Sequence, residues 1–390
     1  MGADRDTSRG PRVAHLTTVH EPFDPRIFHK QLRSLHDAGF DAHLLAPHSE
    51  TECVDGIPIH ALPQPRHRAH RLALQPRVFR AARGLDAALY QIHDPELLPL
   101  AALLKGGTGA RIVYDMHENY RSKGPVLGRG LRTLERWAFR WVDHVLLAEE
   151  SYRSIVEARS VPHTHIANYF RPREKTAVAP SIDDESPPKM PTRLLYTGTI
   201  SARRGLRTMV EVAARARQAG RPETLTMVGI CRHDDQRAWA ERRIQSARLA
   251  GRVERVGWDR YVSPSAMAPH YRSADVGLVL CEPHPNYRES FPTKFYEYLH
   301  YGLPIICSDF PLWRRFIEKH DCGAVVPPGD PEAVLAVLAE WQAHPERYRQ
   351  CMANARAAAP QYRWESVEGR LVSVYRDLLG DSRQSERACS

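Results

Sequence analysis

Along this 390-residue chain the apolar positions follow two alternating periods. Short runs rich in Val, Ile, Leu and Tyr predict strands. Longer stretches with an apolar residue every three or four positions predict helices. In the first half RVAHLTT (12–18), DAHLLAP (41–47), IPIHAL (57–62), ALYQIH (88–93), RIVYDMH (111–117), DHVLLA (143–148) and THIANYF (164–170) read as strands. PRIFHKQLRSLHDAGF (25–40) reads as a helix closed by Gly39, with Asp24 as N-cap before Pro25. DPELLPLAALL reads as another, with Asp94 placed to cap and Pro95 in the first turn. The pattern breaks at RPREKTAVAPSIDDESPPKMP (171–191), which is rich in Pro, Ser and charge and reads as a linker. It restarts at TRLLYTGT (192–199) and continues through LTMVGI (225–230), RVERVGW (252–258), DVGLVLC (275–281), LPIICS (303–308) and GAVVPP (323–328), with helices between and a last helix over 364–379.

Such alternation predicts parallel sheets covered on both faces. Two series separated by a linker predict an α/β protein of two doubly wound, Rossmann-like domains facing a central cleft. Ligands are then expected beyond the carboxyl ends of the strands. The expected boundaries are a disordered leader over 1–11, a first domain over 12–172, a linker over 173–191, a second domain over 192–360, a terminal helix over 361–380 and a disordered tail over 381–390.

Composition changes this picture little. Hydrophobic residues make up 42% and charged residues 26%, as in ordinary soluble proteins. No apolar run is long enough for a membrane span, and MGADRDTSRGPR lacks the apolar core of a secretory signal. Seven cysteines without a C-x-x-C pair read as reduced thiols in a cytoplasmic protein. The net charge of +9 suggests an anionic partner and by itself leaves nucleic acid, an anionic membrane surface and a phosphorylated substrate open. Segment 66–83 holds six arginines and no acid, interleaved with Leu72, Leu74, Val78 and Phe79. It reads either as a solvated basic face or as an interfacial surface for an anionic membrane, interrupted at Pro76.

Two loops carry candidate chemistry. After TRLLYTGT, Gly198 lets the backbone approach an oxyanion, and Arg203 and Arg204 supply fork-shaped cations before a helix that begins near Gly205. In ESFPTKFYE, Pro292 suits a first helical position, so the amides of Thr293 and Lys294 are expected free, with the Lys294 ammonium beside them. Glu289 and Glu297 bracket this turn and suit hydroxyls rather than phosphate. The plain alternative is a helix with a surface glutamate and a coincidental one in the loop. At strand ends of the first half, His93 and His117 are expected to reach the site or simply to be satisfied histidines. Apart from Asp4-Arg5-Asp6 in the leader, no Asp-x-Asp and no His/Cys cluster is present, so no metal is expected.

ESFPTKFYE followed by YLHYGLPIICSD resembles the Glu-x7-Glu signature of glycosyltransferase family 4, retaining enzymes of the GT-B fold. LTTVHEPFDPRIFHKQLRSLHDAGFDAHLLA, with its H-x-x-x-D-x-R segment, QIHDPELLPLA, VYDMHENY and GTISARRG are similar to other parts of that family in the same order. The resemblance implies transfer of a hexose from a nucleoside-diphosphate sugar to a saccharide or lipid-linked acceptor, with no cofactor and no nucleic acid. It implies that Glu297 holds the donor ribose and Glu289 the hydroxyls of the transferring sugar. Ser290, Phe291, Pro292 and Thr293 would line the diphosphate and sugar through backbone, with Gly198 and Arg204 in the phosphate loop and Lys294 as a further cation. The family's usual Arg after the loop glycine is Thr199 here, so Arg203 or Lys294 must replace it. His117 matches a histidine that approaches the sugar, while His93, Glu118 and Arg26 fall on the acceptor side. The terminal helix is expected to cross back to the first domain. A role in cell-surface polysaccharide or glycoconjugate synthesis is expected with it, and the basic segment 66–83 suggests peripheral placement at the inner membrane face. A sugar-nucleotide epimerase on the same fold and a non-catalytic basic binding module are the competing readings.

Overall fold

Runs that are apolar at every position become strands buried on both faces, as parallel sheets require. The computed structural model describes residues 10–117, 125–172, 190–288 and 290–380. Glu118, Glu289, the expected tail, and most of the expected leader and linker lie outside the described residues. The chain divides into two units, Met1–Asn168 with Trp364–Ser390, and Tyr169–Arg363.

Among the described residues, the first unit holds β1 (Arg12–Leu16), β2 (Asp41–Pro47), β3 (Glu52–Val54), β4 (Ile57–Leu62), β5 (Leu89–Ile92), β6 (Arg111–Met116), β7 (His144–Leu147) and β8 (His163–His165). They form one sheet in the order β3-β4-β2-β1-β5-β6-β7-β8, parallel except for the β3–β4 hairpin. The second unit holds β9 (Arg193–Thr197), β10 (Thr224–Ile230), β11 (Val253–Trp258), β12 (Val276–Val279), β13 (Ile305–Ser308) and β14 (Gly323–Val326). Their order is β11-β10-β9-β12-β13-β14, with every pairing parallel. Strand order reverses at β1/β5 in one sheet and at β9/β12 in the other. Doubly wound sheets open a crevice at the carboxyl ends there, because successive crossovers leave toward opposite sides. The last helix, Glu365–Leu379, belongs to the first unit, where buried Trp364 donates from Nε1 to Ser34 Oγ at 2.8 Å.

Several elements differ from the sequence expectation. The strand expected over 164–170 ends at His165: Ile166 N still donates to Leu147 O at 2.8 Å, but the acceptors that follow serve side chains. Ile166 O accepts from Arg26 Nη1 at 2.9 Å, and Asn168 Oδ1 accepts from Lys30 Nζ at 2.7 Å. Pro76 does not interrupt the basic segment, which forms one helix, Arg68–Leu85. The carbonyl that Pro76 leaves unbonded belongs to Leu72, whose side chain is 58% exposed, so water can serve it. Leu74, Val78 and Ala82 meanwhile form a buried stripe. Asp94 does not cap its own helix. Its Oδ2 accepts from Thr18 N at 2.5 Å, Thr17 Oγ1 at 3.0 Å and Val19 N at 3.2 Å, which ties the loop after β1 to the end of β5. The helix expected from residue 25 opens as a wide π-turn, Ile27–Leu32, before its α-helical part, Arg33–Asp37.

In the second unit three glycines stand at the carboxyl ends of neighbouring strands, Gly198 (φ +101°), Gly229 (φ +142°) and Gly257 (φ +88°). A Cβ on Gly229 would lie 2.0 Å from Gly198 O, so the two strand ends touch backbone to backbone. Gly229→Ala is expected to cost more than about 2 kcal/mol in urea unfolding, through overlap and a disfavoured φ together. Gly220→Ala, at φ +67° with open space around it, should cost only about 1 kcal/mol.

Candidate active site

In the second unit the site grows from the end of β9. The chain turns at Gly198, passes a short 3₁₀ turn (Ala202–Arg204) and enters the helix Leu206–Gln218 at Gly205. Gly205 is obligatory, since a Cβ there would fall 2.1 Å from Leu280 O. That close approach sets the phosphate-type loop against the end of β12. Arg204 is half-buried; burial works against its charge, but Tyr196 and Tyr287 beside it raise the guanidinium above its ordinary value. Arg203 is exposed and faces His284, with Nη1 to Nε2 3.5 Å.

Lys294 opens the helix Lys294–His300 and is buried, with Nζ 4.8 Å from the centre of the Tyr196 ring. A Cβ on Gly198 would lie 3.5 Å from that Nζ, so the ammonium sits directly over the loop glycine. Burial, and then the Arg204 charge, push Lys294 down to about 8. Lys294 has no ion pair and no hydrogen bond among the described residues, a costly state for an ammonium out of water. Nor do the backbone N–H groups of Thr293 and Lys294 find acceptors there; the first amide of this turn to do so is Phe295 N, on Pro292 O at 3.1 Å.

Glu297 is half-buried and held by three hydroxyls. Tyr271 donates to Oε2 at 2.5 Å, Thr197 to Oε2 at 3.5 Å and Thr293 to Oε1 at 3.1 Å. Burial and the Glu297 charge keep Tyr271 a neutral phenol, so it remains a donor. The loop before the helix is pinned by Trp313 Nε1 on Ser290 O at 2.9 Å. Phe291 turns its ring inward on Phe295 and Phe316, which leaves only its backbone for any ligand. Gly198, Thr197, Arg204, Lys294 and Glu297 thus form one constellation, while Arg203 stands apart from it. Thr199 contributes its carbonyl, which accepts from Tyr196 OH at 2.7 Å.

In the first unit the carboxyl ends of β1, β5 and β6 meet at Asp115. This fully buried carboxylate is forked by Arg26, with Nη2 to Oδ1 2.7 Å and Nε to Oδ2 2.9 Å. Arg26 and Gln31, brought together by the π-turn, both reach it, and His93 Nδ1 lies 3.1 Å from Oδ2. The other ring nitrogen of His93 is 3.0 Å from His15 Nδ1, and His15 Nε2 is 2.9 Å from Tyr375 OH on the last helix. Arg26 holds Asp115 well below the usual carboxylate range against its own desolvation. Burial lowers His93 and lowers His15 further, so both stay neutral rings. The acceptor-side expectation for Arg26 and His93 is therefore corrected: both are spent on Asp115 and shape the floor of the site. His93, Asp115 and His117 lie close enough to share a metal ion. The Arg26 fork already occupies both Asp115 oxygens, so we assign none. His117 stands at the rim, with Nδ1 2.9 Å from Asp115 O and Nε2 2.9 Å from His20 Nε2.

Sequence reading missed Asp115 and Tyr271. The signal for Asp115 was present, a carboxylate inside the otherwise apolar run RIVYDM. Tyr271 gave none, since it meets Glu297 from 26 residues away. A shallow cavity of about 630 Å³ in the first unit is lined by Arg12, Asp41, Thr108 and Leu378. It lies at the amino ends of β1, β2 and β6, the edge that open parallel sheets do not use for ligands.

Residues 26–168 match the family model described as a glycosyl transferase 4-like domain, and residues 180–358 match glycosyl transferases group 1. The chain is similar to a phosphatidyl-myo-inositol mannosyltransferase of Mycolicibacterium smegmatis, 24% identical over 355 residues, 89% of this chain and 88% of that protein. It is also similar to O-antigen chain mannosyltransferase B of Escherichia coli, 25% identical over 187 residues, 47% of this chain and 45% of that one. Among solved structures, sucrose-phosphate synthase from Thermosynechococcus elongatus superposes with a TM-score of 0.72 at 18% identity, covering 96% of this chain and 100% of its own. HepE from Anabaena, in complex with UDP and glucose, superposes with a TM-score of 0.70 at 14% identity, covering 94% and 100%.

Two outcomes follow from this geometry. An anion bound at Lys294 favours the charged amine, so affinity is full below about 8 and falls as pH rises through that value. Calorimetric titration of UDP from pH 7 to 9 should weaken by up to about tenfold per unit above 8, and Lys294→Met should flatten the profile. Asp115→Asn strands the Arg26 guanidinium, and urea unfolding should show a loss of about 3–5 kcal/mol.

Proposed function

We propose that this chain, which belongs to the GT-B glycosyltransferases of the family 4 type, moves a hexose-type sugar from a nucleoside-diphosphate sugar to an acceptor hydroxyl with retention of configuration. The observation that carries this reading is Lys294: a buried ammonium without a counter-anion among the described residues, beside a second cation and a loop glycine. Such a site is incomplete until an anion fills it, and a diphosphate supplies the charge. Glu297, oriented by Tyr271, Thr197 and Thr293, is the group that would accept hydrogen bonds from ribose hydroxyls.

In this reading Lys294 takes the place of the arginine that Thr199 lacks, since Arg203 faces His284. As the glycosidic bond stretches toward an oxocarbenium-like state, Lys294 and Arg204 stabilise the departing diphosphate, so the step is proposed to need no metal. The leaving phosphate takes the proton of the acceptor hydroxyl, which attacks from the same face. Glu297 is a poor nucleophile for a glycosidase-like route, because its carboxylate is committed to three hydroxyls. Glu289 is proposed to hold hydroxyls of the transferring sugar, and Gly198, Ser290, Phe291, Pro292 and Thr293 to meet donor through backbone. His117 is the first unit's proposed contribution, with Glu118 on the acceptor side.

The names of the relatives, a phosphatidyl-myo-inositol mannosyltransferase and an O-antigen chain mannosyltransferase, make mannose the first hexose to test. They also favour a lipid-linked or saccharide acceptor in cell-surface glycoconjugate synthesis. No described helix is long and apolar enough to cross a membrane. The helix Arg68–Leu85 exposes Arg77, Arg80, Arg83 and Leu72, which suits docking on an anionic inner membrane face.

Incubation with a panel of nucleotide sugars, with and without EDTA, should give transfer or slow hydrolysis from one of them in both conditions. Lys294→Met and Glu297→Gln should each lower kcat/KM about 10- to 100-fold, the scale of one lost charged hydrogen bond. Lys294→Met should leave the melting temperature unchanged or higher, because it removes a buried charge. Silence across the panel, together with no binding of UDP, GDP or ADP, would overturn the proposal.

A further inference from the structure

The three helices that link β4 to β7 lie side by side on one face of the first sheet, Arg68–Leu85, Pro99–Thr108 and Pro125–Ala138. Their inner sides enter one core, with Val78, Leu104 and Ala138 packed among residues of the strands. Leu16 and Tyr90 point into that core, whereas their neighbours His15 and Gln91 meet Tyr375 of the last helix on the other face. The two layers differ in charge. The last helix mixes Glu365, Glu368 and Asp377 with Arg370 and Arg376. The three linking helices carry five, one and three basic residues and a single acid, Glu135, which is buried.

The basic side chains face outward in rows. Arg77, Arg80 and Arg83 are exposed along the first helix. Arg129 and Arg136 are exposed along the third, and Arg140 continues their row in the following turn. None of the six is held by an ion pair among the described residues. Each helix also exposes one large apolar side chain, Leu72 at 58%, Leu103 at 54% and Trp137 at 41%. These are three of the seven that the described residues expose, gathered on one layer. Arginines alone would serve any polyanion. The apolar members select among them: a nucleic-acid backbone gains little from an exposed leucine, while a bilayer takes leucine at its acyl boundary and tryptophan among its headgroups.

We propose that the outer face of all three helices is one docking surface for an anionic lipid bilayer. The arginine rows meet the headgroups, and Leu72, Leu103 and Trp137 enter the boundary beneath them. The inference rests on the reading of Arg68–Leu85 as a membrane-facing helix and deepens it, adding two further helices and an aromatic anchor. All three helices begin at the carboxyl edge of the sheet, the edge that bears His117, so that edge borders the docked face.

The test is co-sedimentation of the full chain with vesicles of phosphatidylcholine, alone or mixed with phosphatidylglycerol. Binding should require phosphatidylglycerol and weaken with salt. Arg77→Gln with Arg80→Gln should weaken it about 30-fold, and Arg136→Gln with Arg140→Gln by about the same factor. Trp137→Ser should weaken it about tenfold at any salt concentration. Melting temperatures should stay at the wild-type value, since each substituted arginine and the tryptophan are exposed. The middle helix is read directly. In a chain with Cys53→Ser and Cys389→Ser, a bimane on Leu103→Cys should shift its emission on mixed vesicles, while one on Ser373→Cys of the last helix should not. If an arginine or tryptophan variant unfolds, these two labels decide. Loss of binding through the Arg68–Leu85 variants alone, with the Arg136, Trp137 and Arg140 variants binding as wild type, would overturn the three-helix surface. So would binding to DNA as tight as to vesicles with Trp137→Ser unchanged, which marks a surface for polyanions in general. The transfer reading is judged apart, by the nucleotide-sugar panel without vesicles. A chain that transfers sugar yet ignores vesicles loses this surface alone, and one that docks yet transfers nothing keeps it.

Discussion

A parallel sheet sends all of its strands out of one edge, and at that edge each strand must surrender its last carbonyls and find a route to the next helix. In both units the strand order reverses once, at β1/β5 and at β9/β12, so two neighbouring loops leave in opposite directions and open a gap between them. Gly198, Arg204 and Lys294 stand on loops or a helix start beyond this edge, while Thr197 and Asp115 lie at the carboxyl ends of their strands. The glycines there serve the same constraint. Gly205 lets one loop press on the end of β12, and Gly229 lets β10 touch the end of β9, where any side chain would hold the backbones apart.

The two units fill their gaps in opposite electrostatic styles. The first gathers carboxylates and imidazoles and satisfies them internally: Arg26 neutralises Asp115, the loop after β1 occupies Asp94, and neutral His15 and His93 relay contacts to Tyr375 on the last helix. The second unit gathers cations for which the described residues supply no ion pair, with Lys294 buried over an aromatic face and Arg204 beside the Tyr196 and Tyr287 phenols. Desolvated charge of one sign is unfavourable, which is why the proposed function gives this place to an anion. Tyr196 serves both sides of this arrangement, since its ring supports the ammonium and its hydroxyl fixes the Thr199 carbonyl.

Much of this was legible from residue pattern alone. The β–α alternation, both sheets and the Lys294–Glu297 turn follow from local period and spacing, which is where sequence speaks most directly. The Asp55-Gly56 turn between β3 and β4 was a readable hairpin signal that the apolar pattern overshadowed. Other features could not be read because they are set by distant partners. Nothing near Asp94 says that its carboxylate will turn away from its own helix toward Thr17 and Thr18. Arg26 looks like a free cation beside a loop until β6 brings Asp115 beneath it. Pro76 looks like a break, yet the helix Arg68–Leu85 runs through it at an exposed turn, with Leu72 58% exposed.

The last helix has one more consequence, for the order of events during synthesis. Trp364 and Tyr375 complete the core of the first unit, yet they leave the ribosome after every residue of the second. A growing chain can therefore close its later half first, while the earlier half waits with His15, Gln91 and the groove for Trp364 uncovered. The amino-terminal sheet gains its final layer only after the whole second unit has been made, so whatever shields nascent chains must attend this sheet while the second unit is synthesised.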